Sequence, residues 1–199
     1  MGMVILLTRN LPRALNTSET FRVIGNLPPL TPGLAGNNIT VLGQGNVGRR
    51  VGELASAFGM NVRYFCRGDD LSKAVAEADV VVDTLSANPS TEKLLGADFF
   101  AAIRDGASFV TITRSEVVDE EAMIDALDSG RLVGVATDCG GVLVGDTDDP
   151  YYQRLAAHPR VLATPHIAYN PGMSGQVAND IMIDNVEAYL DGSPINLLN

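Results

Sequence analysis

Residues 38–48 read Asn38-Ile39-Thr40-Val41-Leu42-Gly43-Gln44-Gly45-Asn46-Val47-Gly48. The apolar run Ile39-Thr40-Val41-Leu42 has strand character and stops at a glycine-rich turn. The turn has the spacing G-x-G-x-x-G and opens a stretch that reads as a helix, from about Asn46 to Phe58. Gly59 follows it as a C′ glycine should. The spacing alone is a weak signal. Between a strand and a helix of one βαβ unit it is the fingerprint of a dinucleotide site. Gly43 permits the tight turn, Gly45 lets backbone approach a pyrophosphate, and Gly48 lets helix and strand pack closely. The helix start at Asn46 and Val47 supplies N–H groups and the positive dipole end.

Working outward, the alternation continues. Strands are expected at 62–65, 80–82, 108–112, 132–136 and 161–163. Helices are expected at 71–77, 97–103, 119–129 and 173–190, with Asp119 as an N-cap. Val80-Val81-Val82 is apolar throughout, as a parallel strand buried on both faces would be. Strands alternating with helices predict a Rossmann-type, doubly wound parallel α/β sheet. Residues 1–36 differ. Met3–Leu15 predicts a short helix with an apolar stripe of Val4, Leu7, Leu11 and Leu15. Residues 26–36 are too rich in Pro and Gly for regular structure and read as a strap. The expected division is therefore 1–36, helix and strap, and 37–199, the nucleotide-binding domain.

Composition narrows the function. The chain has 199 residues, 46% hydrophobic and 19% charged, an ordinary globular mix for about one domain. Its 14 basic and 24 acidic side chains give a net charge of −10. That sign repels phosphate backbones and argues against nucleic-acid binding. No stretch has the ~20 apolar residues of a membrane span. Two cysteines, Cys66 and Cys139, make no disulfide framework. With His158 and His166 as the two histidines, no metal site is expected. A reducing cytoplasm is the simplest compartment.

In an open α/β sheet, ligands bind outside the carboxyl ends of the strands. The second strand ends at Cys66-Arg67, where NAD-binding proteins usually carry a carboxylate for the ribose hydroxyl. Arg67 would instead pair with a 2′-phosphate, so NADP is slightly favoured over NAD. Asp69 and Asp70 could still serve the ribose. Arg114 and Asp138 each stand at the end of an apolar strand and His166 follows another, and the three would converge on one crevice.

These residues carry a resemblance. From Gly36 on, the chain resembles the nucleotide-binding domain of the D-isomer-specific 2-hydroxyacid dehydrogenases. Ala57-Phe58-Gly59-Met60, Asp105-Gly106-Ala107 and Val117-Val118-Asp119-Glu120 all match. Thr164-Pro165-His166-Ile167-Ala168 is the most specific piece. The resemblance implies an oxidoreductase moving hydride between NAD(P) and a small 2-oxo or 2-hydroxy acid. It implies that Arg114 holds the substrate carboxylate and polarises its ketone. His166 would be the general acid in reduction and the base in oxidation. Asp138, with backbone near Thr113, would hold the nicotinamide carboxamide, and Leu85 and Ser86 would lie along the cofactor.

The departures matter as well. The family's Glu that partners the catalytic His is Leu143 here. Asp146 would replace it if the loop 140–145 folds back. Thr84-Leu85-Ser86-Ala87-Asn88 stands for His-x-Pro-Leu-Thr, and Ser115-Glu116 for two glycines. Residues 1–36 are too short for the family's substrate-closing domain, and their helix would contact a second copy in a homodimer. The alternative reading is a catalytically weak or inactive dinucleotide-binding module, such as a redox sensor or non-catalytic subunit. A nucleotide ligand such as S-adenosylmethionine is weaker still, because the Thr-Pro-His piece argues against it.

Overall fold

In a computed structural model, residues 1–9, 33–139, 145–168 and 172–197 are described. The elements are α1 (Gly2–Thr8), β1 (Asn38–Leu42), α2 (Asn46–Ala57), β2 (Asn61–Phe65), α3 (Leu71–Val75), β3 (Val80–Asp83), α4 (Ala97–Ala102), β4 (Ala107–Thr111), α5 (Glu120–Asp128), β5 (Leu132–Cys139), α6 (Pro150–Ala156), β6 (Val161–Pro165) and α7 (Gly172–Leu190). The six strands form one parallel sheet in the order β2-β1-β3-β4-β5-β6. The expected doubly wound sheet is present. Its direction of growth reverses between β1 and β3, and the glycine turn leaves β1 at that point.

Alternation along the strands builds two cores, because successive side chains of a strand face opposite ways. Ile39, Val41, Val80, Val82, Val110 and Ala136 pack under α1 and α2 with Val4, Leu7, Val51 and Ala55. Val81, Phe109 and Val135 pack on the other face with Phe99, Phe100, Leu127 and Leu155 of α4, α5 and α6. β3 is buried along its whole length, as its unbroken apolar run requires.

The end of α2 follows expectation in detail. Gly59, at φ +78, donates to Ser56 O, and Met60 donates to Ala55 O, a Schellman motif. Three expectations need correction. The first concerns the N-terminal helix, which runs Gly2–Thr8 rather than Met3–Leu15. Thr8 turns its hydroxyl back onto Val4 O at 2.7 Å, and Leu11 and Leu15 lie outside the described residues. The half of the stripe that is described, Val4 and Leu7, is buried against this chain's own sheet. Leu7 rests over Gly134 of β5, where an added Cβ would lie 3.2 Å from its Cδ2. The second correction is that β5 runs through Cys139, beyond the expected 132–136, with Asp138 near its end as the charge pattern implied. The third is α6, which the sequence reading passed over. Its signals were Asp149, which accepts from Tyr152 N, and Pro150 at the first helical position. A single buried residue, Leu155, leaves too little apolar period to announce the helix.

Candidate functional site

The glycine turn is built by backbone. Gly43 has φ +95, a conformation L side chains avoid, and its N–H donates to Phe65 O at 3.0 Å. At Gly48 an added Cβ would lie 2.1 Å from Gly43 O and 2.8 Å from Thr84 Oγ1. Helix and turn therefore touch there through bare backbone. Over Gly45 nothing lies within 4 Å of the same position. Gly45 is also the N-cap of α2, with no side-chain cap and no acidic residue in the first turn. Open space, uncapped N–H groups and no negative charge are what a pyrophosphate needs.

Beyond Val47 a cleft of about 920 Å³ opens along the strand ends. It is lined by Thr84, Leu85 and Ser86 after β3, by Thr111 of β4 and Ile112 to Glu116 after it, by Thr137 and Asp138 of β5, by Tyr151 of α6 and by His166 after β6. It thus gathers the expected Val47, Leu85, Ser86, Thr113, Arg114, Asp138 and His166. Gly43, Gly45, Asn46, Gly48, Cys66 and Arg67 do not line it and belong to the turn and the β2 end.

At that β2 end the two spare acids are occupied. Asp69 Oδ2 accepts from Cys66 N at 2.7 Å. Asp70 caps α3 by accepting from Lys73 N and pairs with Lys73 Nζ at 3.2 Å. Its carboxyl is held below the ordinary value by the Lys73 backbone hydrogen bond first and the Lys73 side chain second. Arg67 is exposed and has no ion pair among the described residues. Cys66 Sγ lies 3.6 Å from Gln44 Oε1 of the glycine turn.

Asp138 organises the far wall. Its Oδ1 accepts from Thr164 Oγ1 and from Ile167 N at 3.0 Å, and its Oδ2 from Ala168 N at 2.9 Å. These bonds clamp the turn that carries His166, whose φ is +50 and whose N–H donates to Thr164 O. A non-glycine residue in that region persists only where its surroundings hold it. Gly145 N donates to Pro165 O at 2.8 Å, so Gly145 itself lies beside the His166 turn. Asp146, next along, accepts from Asp148 N at 2.9 Å. Leu143 lies outside the described residues.

Sequence reasoning missed Asp83. It is fully buried at the end of β3, beneath the cleft. Its Oδ2 accepts from Thr111 Oγ1 at 3.0 Å and from Thr113 Oγ1, and its Oδ1 from Leu85 N at 3.0 Å. Burial pushes the carboxyl above its ordinary value, opposed by the hydrogen bonds from Thr113, Leu85 and Thr111. Val80-Val81-Val82-Asp83 carried the signal that singled out Arg114, a charge ending an apolar strand. Among the described residues no group of His, Cys, Asp and Glu could hold a metal ion.

A glycine turn at the switch point, a bare helix start and a cleft across the next strand ends define a nucleotide-binding domain of the doubly wound class. The chain belongs, more narrowly, to the D-isomer specific 2-hydroxyacid dehydrogenases, whose NAD binding domain model matches residues 1–168. It is 28% identical over 178 residues to a hydroxypyruvate reductase of Blautia hydrogenotrophica, covering 83% of this chain and 54% of that one. It is 30% identical over 178 residues to a D-3-phosphoglycerate dehydrogenase of Escherichia coli, covering 84% and 43%. The chain spans about half the length of the curated relatives it matches. Its fold is that of the D-lactate dehydrogenase of Lactobacillus jensenii solved with NAD+. There the TM-score is 0.84 at 23% identity, covering 98% of this chain and 65% of that one.

Proposed function

We propose that the chain binds a nicotinamide dinucleotide and takes part in hydride transfer to or from a small 2-oxo or 2-hydroxy acid. The observation that carries the reading is the cleft itself, which brings Arg114, Asp138 and His166 to adjoining strand ends beside the glycine turn. The bare N-terminus of α2 would receive the pyrophosphate over Gly45. The lone pairs left on Asp138 would accept from the nicotinamide carboxamide, while its existing bonds keep His166 in place. Leu85 and Ser86 would flank the cofactor. The reduced nicotinamide, when bound, supplies a hydride.

Arg114 has no ion pair among the described residues, so its guanidinium is available to a planar carboxylate. His166 would give a proton to the substrate oxygen during reduction and take it back during oxidation. The free Arg67, with Asp69 and Asp70 both occupied, supports a preference for NADPH. We read the protein as cytoplasmic and homodimeric. No helix among the described residues is long and apolar enough to cross a membrane. The apolar Ile181, Met182, Val186 and Leu190 of α7 stand exposed and support a partner, for which native mass is the measurement.

Fluorescence titration with NADH and NADPH tests the first step. Glyoxylate, hydroxypyruvate and pyruvate are then added and the absorbance followed. Oxidation that disappears in His166→Ala is the expected result. Binding without any oxidation would leave a dinucleotide-binding module. No binding of either cofactor would sink the reading.

A further inference from the structure

We infer that Glu116 selects a substrate carrying a cationic group on its side chain, an amine or a guanidinium, in addition to the carboxylate held by Arg114. The inference rests on the dinucleotide-dependent reading above. Arg114 and Glu116 both line the cleft, Arg114 as the N-cap of one short turn and Glu116 as its middle residue. That turn is firmly placed. Val117 N donates to Arg114 O at 3.1 Å, and Val117, just beyond Glu116, is fully buried. Across the cleft rim, Lys93 N donates to Glu116 O at 2.7 Å and Leu95 N to Val117 O at 3.1 Å. The backbone that carries Glu116 is thus held on both sides.

The charges of the cleft divide into used and unused. Asp138 accepts three hydrogen bonds that hold the His166 turn, and its remaining acceptor capacity is the one proposed for the carboxamide. Glu116 has Ser115 Oγ, at 3.5 Å, as its side-chain contact and no cation within ion-pair distance among the described residues. Lys93, whose backbone N–H bonds Glu116 O, sends its ammonium to Asp119 at 3.9 Å. Arg114 and Glu116 make no ion pair with each other. The cleft therefore offers one unmatched cation and one unmatched anion from the same turn. A ligand with a carboxylate at one end and a cation further along matches both. A dicarboxylate would bring a like charge to Glu116, and that repulsion grows as bound ligand displaces water. Reduction is unchanged in its balance: hydride goes to C2 and one proton to the oxygen on C2.

The test uses the full chain saturated with NADH, so that reduced acids bind without reacting. Calorimetry compares 2-hydroxy-5-guanidinopentanoate, 2-hydroxyglutarate and 2-hydroxypentanoate on wild type and on Glu116→Gln. Glu116 is exposed, so the variant keeps its fold. The expected result is about fivefold weaker binding of the guanidino acid and about fivefold tighter binding of the dicarboxylate, with the uncharged acid unmoved. Equal changes for all three acids, or none, overturn the inference. So does failure of the wild-type NADH complex to bind any of the three. Failure to bind NADH at all overturns the dinucleotide reading and this inference together.

Discussion

The two ends of the site are made of different materials. At the glycine turn, backbone does the work. Gly43, Gly45 and Gly48 act by having no side chain, and α2 presents N–H groups that nothing caps. At the strand ends of β3 to β6, carboxylates hold loops in place and the loops hold the reactive groups. Asp83 gathers Thr111, Thr113 and Leu85, and Asp138 gathers Thr164, Ile167 and Ala168. The first kind of construction has no room for an added atom in the fold at Gly48, and at Gly45 has room only until a ligand arrives. The second tolerates changes of shape but not loss of an acceptor.

The largest expected effect tests the backbone end. Gly48→Val puts a Cβ about where Gly43 O already sits, and should lower unfolding stability by about 3 kcal/mol in urea titrations. Gly45→Ala meets open space, so its stability should stay within about 0.5 kcal/mol of wild type. Its NADH affinity should nevertheless fall clearly, since the added methyl stands where the pyrophosphate is expected. Equal stability losses in the two variants would erase the distinction between close packing and ligand approach.

Next comes the carboxylate end. Asp138→Ala leaves the N–H groups of Ile167 and Ala168 without their acceptor, a loss of about 2 kcal/mol. Hydrogen exchange should show faster opening at those two amides. Unchanged exchange there would mean the His166 turn is held by something else.

Asp83 gives a pH signature. Its carboxyl is raised above the ordinary 3.8 by burial, so the folded chain holds the proton more tightly than the unfolded one. Between 3.8 and the raised value, the contribution of Asp83 to stability therefore falls as pH rises. Asp83→Asn carries no such dependence. The stability of wild type minus that of Asp83→Asn should decline across this window, by about 1.4 kcal/mol for each unit the carboxyl is raised. A flat or rising difference would contradict a raised Asp83. The smallest effect is Arg67→Asp, which should move the NADPH-to-NADH affinity ratio by about fivefold toward NADH, less at high salt. No movement would make Arg67 a solvated charge only.

Much of the fold was readable because strand and helix periods and cap residues are local. The run Ile39–Leu42, the glycines after it and the C′ glycine Gly59 each state their conformation within a few residues. α6 was not readable, since it buries Leu155 alone and is announced only by Asp149-Pro150. In the site, Arg114, Asp138 and His166 could be picked out as charges ending apolar strands. Asp83 had the same form, but its partners Thr111, at the end of β4, and Thr113, just after it, are 28 and 30 residues away in the chain.

What the sequence by itself determined is the sheet, its glycine turn and the family, all of which rest on local chemistry and spacing. Tertiary structure decided which charges are spent and which are free. Asp69, Asp70 and Asp138 look alike in the chain, and packing commits each to particular N–H groups. Arg67, Arg114 and Glu116 are left over by the same packing, because a charge finds or misses its partner only when distant segments are brought within hydrogen-bond reach. Val4 and Leu7 illustrate the same limit on the apolar side. Their stripe reads as sticky in any setting, and only the groove over Gly134 shows that this chain's own sheet covers it.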